Sequence, residues 1–232
     1  MFDSSLVDDL VRKGWIWQGQ TNAIDARQQT FTSTGDATLN DVLGGGWPEG
    51  AVVEVQLEQP FQGEMGLMLP ALQEASVAQV PSLWVNPPAT PYPPGWEAHH
   101  LNSKYQWIVR TDTQADAYWV LQNALQAGCC RYVLYWGQLS AAAVRQLQSL
   151  AQQQRVLLVV FCPSMVEPEA RAYHTRLHLT RSSTQELQIA VKKRRFGWPL
   201  PPFSIATDSQ FPARRRRKVA SANVVQGPWT KR

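Results

Sequence analysis

Residues 51–65 read Ala51-Val-Val-Glu-Val-Gln-Leu57-Glu-Gln-Pro-Phe-Gln-Gly63-Glu64-Met65, and this stretch decides the fold class. Ala51 to Leu57 is rich in β-branched residues and reads as a strand. A helix is expected from about Gly63, through Met65, Leu67, Met68, Leu69, Leu72 and Ala75, with Pro70 bending it or ending its first turn. The same alternation continues downstream. Ser82 to Asn86, Gln106 to Arg110, Arg131 to Trp136 and Arg155 to Cys162 are further strands. Thr113 to Ala127 is a helix with Ala117, Val120, Leu121, Ala124 and Leu125 facing inward and Gly128 as its stop. Ser140 caps another helix running to about Gln154, with Val144, Leu147 and Leu150 as its core stripe. Pro87 to Gly95 holds five prolines and cannot form a ladder. The unbroken apolar run before Cys162 suits a strand covered on both faces. Strands alternating with helices over 51–162 predict βαβ units and a mostly parallel sheet.

Beyond Pro168 the pattern changes. Tyr173 to Thr180 and Leu187 to Val191 alternate around a turn at Ser182-Ser-Thr184, which predicts an antiparallel hairpin, and residues 203–207 add a strand. On the N-terminal side, residues 4–14 read as a short amphipathic helix with Leu6, Leu10 and Val11 on one side. Gln18 to Gly35 is polar without a period and reads as a linker. The three consecutive glycines and Pro48 within Ala37–Gly50 predict a tight, irregular loop. From Gln210 onward the chain reads as disordered, because Arg214 to Lys218 repel one another and few apolar residues remain. The expected organisation is a helix and linker over 1–35, an α/β domain over 36–209 and a basic tail over 210–232.

Apolar residues make up 44% of the 232, enough for one sizeable core. No run approaches the ~20 apolar residues of a membrane helix. Met1 to Trp17 carries Asp3, Asp8 and Asp9 and does not read as a secretory leader. Cys129 and Cys130 are adjacent, and with Cys162 they suit neither a disulfide framework nor a metal site. A soluble, cytoplasmic protein is expected. The net charge of +4 is unevenly placed: residues 1–191 carry −6 and residues 192–232 carry +10. That polarity predicts an acidic partner, or nucleic acid, at the C-terminal end.

Leu39-x-x-x-Leu43-Gly-Gly-Gly-Trp-Pro-x-Gly50 followed by Val53-Glu-Val55 resembles the approach to the RecA ATPase core, and Leu187-Gln-Ile-Ala-Val-Lys-Lys-Arg-Arg195 with Pro199 resembles the strand and Lys-rich segment near that core's end. Trp15-Ile-Trp-Gln-Gly19, Gly44-Gly-Gly-Trp-Pro48, Gly63-Glu-Met-Gly-Leu-Met-Leu-Pro-Ala-Leu72, Trp84-Val-Asn-Pro-Pro88 and Lys193-Arg-Arg-Phe-Gly-Trp-Pro199 together resemble the ImuA family, RecA-like members of a bacterial mutagenesis cassette, over about residues 15–207. Residues 53–165 also resemble SulA, the SOS-induced inhibitor of cell division. The resemblance implies a RecA-like fold, a degenerate P-loop NTPase core. It also implies a non-catalytic accessory role in SOS-induced mutagenic translesion DNA synthesis, with three partners: an ImuB-like homologue of Y-family polymerases, an error-prone polymerase of the DnaE type, and the RecA filament. A SulA-like role in cell division and a residual ATPase or DNA-binding recombinase are the alternatives.

A phosphate loop needs glycines that let amides turn inward, a Lys for the β/γ-phosphates and a Ser/Thr for Mg²⁺. Aligned on Gln62 and Gly63, Glu64 stands for the Lys and Met65 for the Ser/Thr. A carboxylate facing a triphosphate is repulsive by about 1 kcal/mol in water and about 4 at an intermediate dielectric. The strand from Tyr132, which would end in an acid for Mg²⁺, ends in Trp136. No ATP hydrolysis, cofactor or metal is therefore expected. Glu64 reads as a first-turn residue favoured by its helix dipole.

The basic residues are the remaining candidates. Arg214, Arg215, Arg216, Arg217 and Lys218 suit nucleic-acid phosphates, an acidic protein surface or plain solvation, and Trp229 beyond them suits a short linear contact. Lys192, Lys193, Arg194 and Arg195 fall at a strand end, two on each face, as DNA or partner contacts or as a solvated edge. Trp84, Trp107 and Trp136 are expected in the core; Trp15, Trp17, Trp47 and Trp198 are expected against the N-terminal segment or a partner. His174 and His178 share a strand face without further metal ligands.

Overall fold

The computed structural model describes residues 29–164, 171–183, 185–194 and 200–206. Branched and aromatic residues build one eight-stranded sheet. Its strands are β3 (Val52–Leu57), β4 (Ser82–Val85), β5 (Gln106–Val109), β6 (Tyr132–Trp136), β7 (Leu157–Pro163), β8 (Thr175–Arg181), β9 (Glu186–Arg194) and β10 (Phe203–Ala206). Their order is β10-β9-β8-β3-β7-β6-β4-β5. Every pair from β8 through β3 to β5 is parallel; β9 and β10 join antiparallel. The chain is therefore an α/β protein with a mostly parallel, mixed sheet and a C-terminal antiparallel hairpin.

Helices cover both faces, which is why β3 and β7 are apolar along most of their lengths. On one face Val53, Val55, Trp84 and Val159 pack with Leu39, Leu72 and Trp96 of the helices α1 (Ala37–Leu43), α2 (Leu69–Val77) and α3 (Pro93–Ala98). On the other, Val52, Val133 and Leu158 pack with Leu121 of α4 (Gln114–Ala127) and with Val144 and Leu147 of α5 (Ala141–Gln154). Ser140 caps α5 and Gly128 ends α4 in the left-handed region, as the sequence predicts, while Thr113, read as helical, is the N-cap of α4.

Five local expectations are corrected. Ala37–Leu43 is helical, not loop: the Asp36 side chain accepts from the Leu39 amide at 2.8 Å, and Gly44 at φ 82° closes the helix. With one fully buried residue the helix leaves almost no periodic signal. The stretch read as linker contains β1 (Phe31–Thr32), paired with β2 (Trp47–Pro48). Gly46 is what lets these strands meet, since a Cβ there would lie 2.3 Å from the Thr32 carbonyl oxygen. Helix α2 begins at Leu69 and not near Gly63, and Pro70 sits in its first turn, where a missing N–H leaves no helical bond unmade. The proline-dense loop likewise opens α3. Trp107 is exposed, because β5 is an edge strand, whereas Trp47 is buried and donates its indole N–H to the Leu67 carbonyl at 2.8 Å. Among the described residues no helix is long and apolar enough to cross a membrane. The helix expected over residues 4–14 lies outside the described residues.

Candidate functional site

In open parallel sheets, ligands bind beyond the carboxyl ends of the strands, where the strand order reverses direction. That switch falls at β3. The chain leaves β3 and passes over β7 and β6 to reach β4, and β8 later adds on the opposite side. A pocket of about 230 Å³ opens there, lined by Leu57, Glu58, Gln59, Pro60, Pro88, Trp136, Gly137, Phe161, Cys162 and Pro163. Its walls are mostly apolar and include no cationic side chain.

The loop after β3 carries the feature that sequence reading misplaced. Gly63 and Glu64 do not start a helix. Residues 63–68 form successive turns, with the Gly66 amide on the Gly63 carbonyl and the Met68 amide on that of half-buried Met65. Phe61 at φ 67° and Gly63 at φ 109° turn their amides toward one point. The Glu64 carboxylate fills that point: Oε1 accepts from the Phe61 amide and Oε2 from the Gly63 amide, both at 3.0 Å. Glu64 is 2% exposed. Inward-turned amides of this kind are an anion nest, and here the anion belongs to the chain. Beside it the Gln62 carbonyl accepts from Arg181 at 2.9 Å. The Phe61 ring points outward and is 68% exposed.

Across the crevice Trp136 lies where an acid was expected to be missing. Its ring stacks on Phe161 at 4.9 Å and on Trp84 at 5.8 Å, and Trp84 tilts against Trp96 at 5.6 Å. The Trp84 indole donates to Gln106 Oε1 at 2.9 Å. This stack fills the ends of β4, β6 and β7 with aromatic carbon.

The two basic residues beyond Lys192 at the end of β9 are engaged internally. Arg194 donates to the Val42 carbonyl at 2.8 Å, near the C-terminal end of α1, and Lys193 donates to the Arg171 carbonyl at 3.0 Å. Burial, then Arg176, hold the Lys193 ammonium below the usual lysine range. Lys192 is exposed. Arg195, Arg214, Arg215, Arg216, Arg217, Lys218 and Trp229 lie outside the described residues, as do Trp15, Trp17 and Trp198.

A second polar group was missed from sequence. Glu54 of β3 and Arg176 of β8 are register partners and form a buried ion pair, each side chain less than a tenth exposed. Gln56 Nε2 donates to the same carboxylate at 3.1 Å, and Arg171 stands 4.0 Å away. The available signal was a charge inside an apolar strand, since a buried carboxylate needs a partner. Cys162 lies nearby; burial, with the Glu54 carboxylate adding, pushes its thiol up to about 12. It stays protonated and is no nucleophile at neutral pH. His174 is buried with Nδ1 at 2.9 Å from Thr175 Oγ1. Burial, then Lys192, lower the His178 pKa, while Glu58 opposes the shift. Among the described residues no three His, Cys, Asp or Glu side chains gather as a metal site.

No protein-family model matches the chain, and no curated protein matches it. The geometry at the carboxyl ends of the strands therefore carries the functional argument.

Proposed function

We propose that this chain is a non-catalytic scaffold of RecA-like shape, an ImuA-type accessory protein of SOS-induced mutagenic translesion synthesis acting with RecA, an ImuB-like protein and a DnaE-type polymerase. The observation that carries the non-catalytic part is the Glu64 carboxylate seated on the Phe61 and Gly63 amides. A triphosphate would have to expel a buried carboxylate from both bonds and then lie beside its charge. Trp136 in place of a Mg²⁺-binding acid, and the aromatic stack behind it, support the same reading. The strand order supports the RecA-like part: the strand before the loop lies between the last strand of the βαβ series and the first strand of the hairpin. The partner assignment rests on the resemblance stated above.

Two measurements test the proposal. Calorimetry with ATP, with and without Mg²⁺, is expected to give no binding heat, and micromolar affinity would defeat the scaffold reading. Pull-downs with purified RecA and the ImuB-like protein at two salt concentrations are expected to retain at least one of them at the lower salt. Retention of neither would defeat the partner assignment.

A further inference from the structure

Strand β5 is the last in the sheet order. Such an edge presents a row of backbone N–H and C=O groups, and chains ordinarily blunt it with charge, proline or a covering element. The opposite edge strand, β10, is entered through Pro201 and Pro202. Gln106–Val109 contains neither a charged residue nor a proline. Its Trp107 is 45% exposed and its Ile108 38% exposed, one on each face of the strand.

The ladder to β4 fixes which groups point outward. The Asn86 amide donates to the Val109 carbonyl, so the polar backbone groups of Trp107 and Val109 face β4 and those of Gln106, Ile108 and Arg110 face away. The Gln106 N–H is engaged by the Ser103 carbonyl, which leaves its own carbonyl outward. Among the described residues no strand takes up the Ile108 N–H and C=O, the Gln106 C=O or the Arg110 N–H. A second copy of this edge, turned antiparallel by a two-fold axis through Ile108, matches these groups. Ile108 exchanges both bonds with Ile108 of the second copy, and each Arg110 N–H donates to a Gln106 carbonyl. Trp107, whose register partner Leu83 lies in the core beneath α4, comes to rest beside Val109 across the seam. The charges agree as well. Lys104 and Asp112 are exposed and stand equally far on either side of Ile108, so each Lys104 meets Asp112 of the other copy. An axis through Trp107 would set Lys104 against Arg110, like against like, and one through Val109 would leave Lys104 with no acid opposite.

We infer that two copies of this chain join through β5, antiparallel about Ile108, so that their sheets continue as one. A four-residue strand buries less than the roughly 1,200–2,000 Å² of standard stable interfaces, so the dimer is a weak one. The pairing goes beyond the scaffold reading and stands apart from it, since neither nucleotide nor another protein enters its test.

Sedimentation equilibrium of the full chain, from roughly 1 μM to roughly 200 μM, covers the range of weak complexes. The mass is expected to climb from 26.1 kDa toward twice that value and no further, because a two-fold pairing closes on itself. Lys104→Asp and Asp112→Lys, each at an exposed side chain, are each expected to weaken association about tenfold, the scale of two exposed ion pairs turned repulsive. The two changes combined are expected to restore it. Ile108→Pro removes an outward N–H at an edge where proline is tolerated, and is expected to abolish association while the unfolding midpoint stays near that of wild type. A chain that keeps the mass of one copy throughout overturns the inference, as do assemblies larger than two. So does association that neither the charge changes nor the proline weakens, or a combined charge exchange that fails to restore what its single changes remove.

Discussion

Replacing Glu64 with alanine removes the acceptor from two backbone amides at once. Hydrogen bonds to a charged group contribute about 1.5–3 kcal/mol each, so the pair is worth about 3–6 kcal/mol if nothing takes its place. The Phe61 side of the loop borders solvent, and water will satisfy part of what is lost, which brings the expected cost to about 2–4 kcal/mol. The two positive φ angles lose the group that holds them, and a strained φ at Phe61 is itself worth about 1–3 kcal/mol. Urea unfolding followed by tryptophan fluorescence reads the change. With a slope near 3 kcal/mol per molar, the midpoint falls by roughly 1 M. Glu64→Gln keeps one acceptor oxygen but turns an NH₂ toward the second amide, so its midpoint falls between wild type and alanine. A Glu64→Ala midpoint unchanged from wild type would show that the carboxylate does not hold the loop.

Three further outcomes follow from the buried groups. Glu54→Ala and Arg176→Ala each strand a buried charge and are expected to cost about 3–5 kcal/mol, whereas the double change Glu54→Leu/Arg176→Met costs less than either; equal or additive losses in unfolding experiments would refute the pair. His178 titrates below its ordinary value of 6.5 in the folded chain, so below about that pH the unfolded state binds more protons and stability declines with acidity. His178→Gln is then expected to lose less stability than wild type between neutral pH and pH 5, and parallel stability curves would contradict the assignment. Cys129 is exposed, while Cys130 and Cys162 are buried with thiols pushed up to about 12; a thiol reagent at mild pH is expected to modify Cys129 promptly and the other two only on unfolding.

The sheet was legible because its strands announce themselves by composition. The run from Val156 to Cys162 is apolar throughout since both faces are covered, and the alternation around Ser182-Ser-Thr184 shows that only one face of the hairpin is fully covered. Two of the errors share a cause. Helix α1 has seven residues, β1 and β2 have two each, and at that length a cap or a neighbour's carbonyl outweighs periodicity. At the site, the identities at 64, 65 and 136 were readable, but the position of the Glu64 carboxylate was not. It depends on left-handed backbone at Phe61, a residue type that rarely adopts it. Glu54 was visible in sequence yet not its partner, because Arg176 lies 122 residues away and reaches it only through the β3–β8 register.

On the proposed reading, whether the loop alone keeps nucleotide out of the crevice can be tested by supplying the groups a phosphate loop carries. A Glu64→Lys/Met65→Thr double variant supplies the cation and the hydroxyl and removes the competing carboxylate. Two obstacles remain. Trp136 offers no oxygen for Mg²⁺, and its ring, stacked on both Phe161 and Trp84, occupies the ends of the strands a nucleotide would span. The remaining pocket of about 230 Å³ cannot enclose a triphosphate and its base. The double variant is therefore expected to stay silent toward Mg·ATP in calorimetry, and to bind pyrophosphate at most weakly through the refurbished loop. Trp136→Asp added to it restores the acid but leaves a cavity beside Phe161, at a cost of about 3–5 kcal/mol for the lost aromatic ring. If the double variant alone binds Mg·ATP with micromolar affinity, the aromatic stack is no barrier, and loop chemistry was the whole of what the crevice lacked.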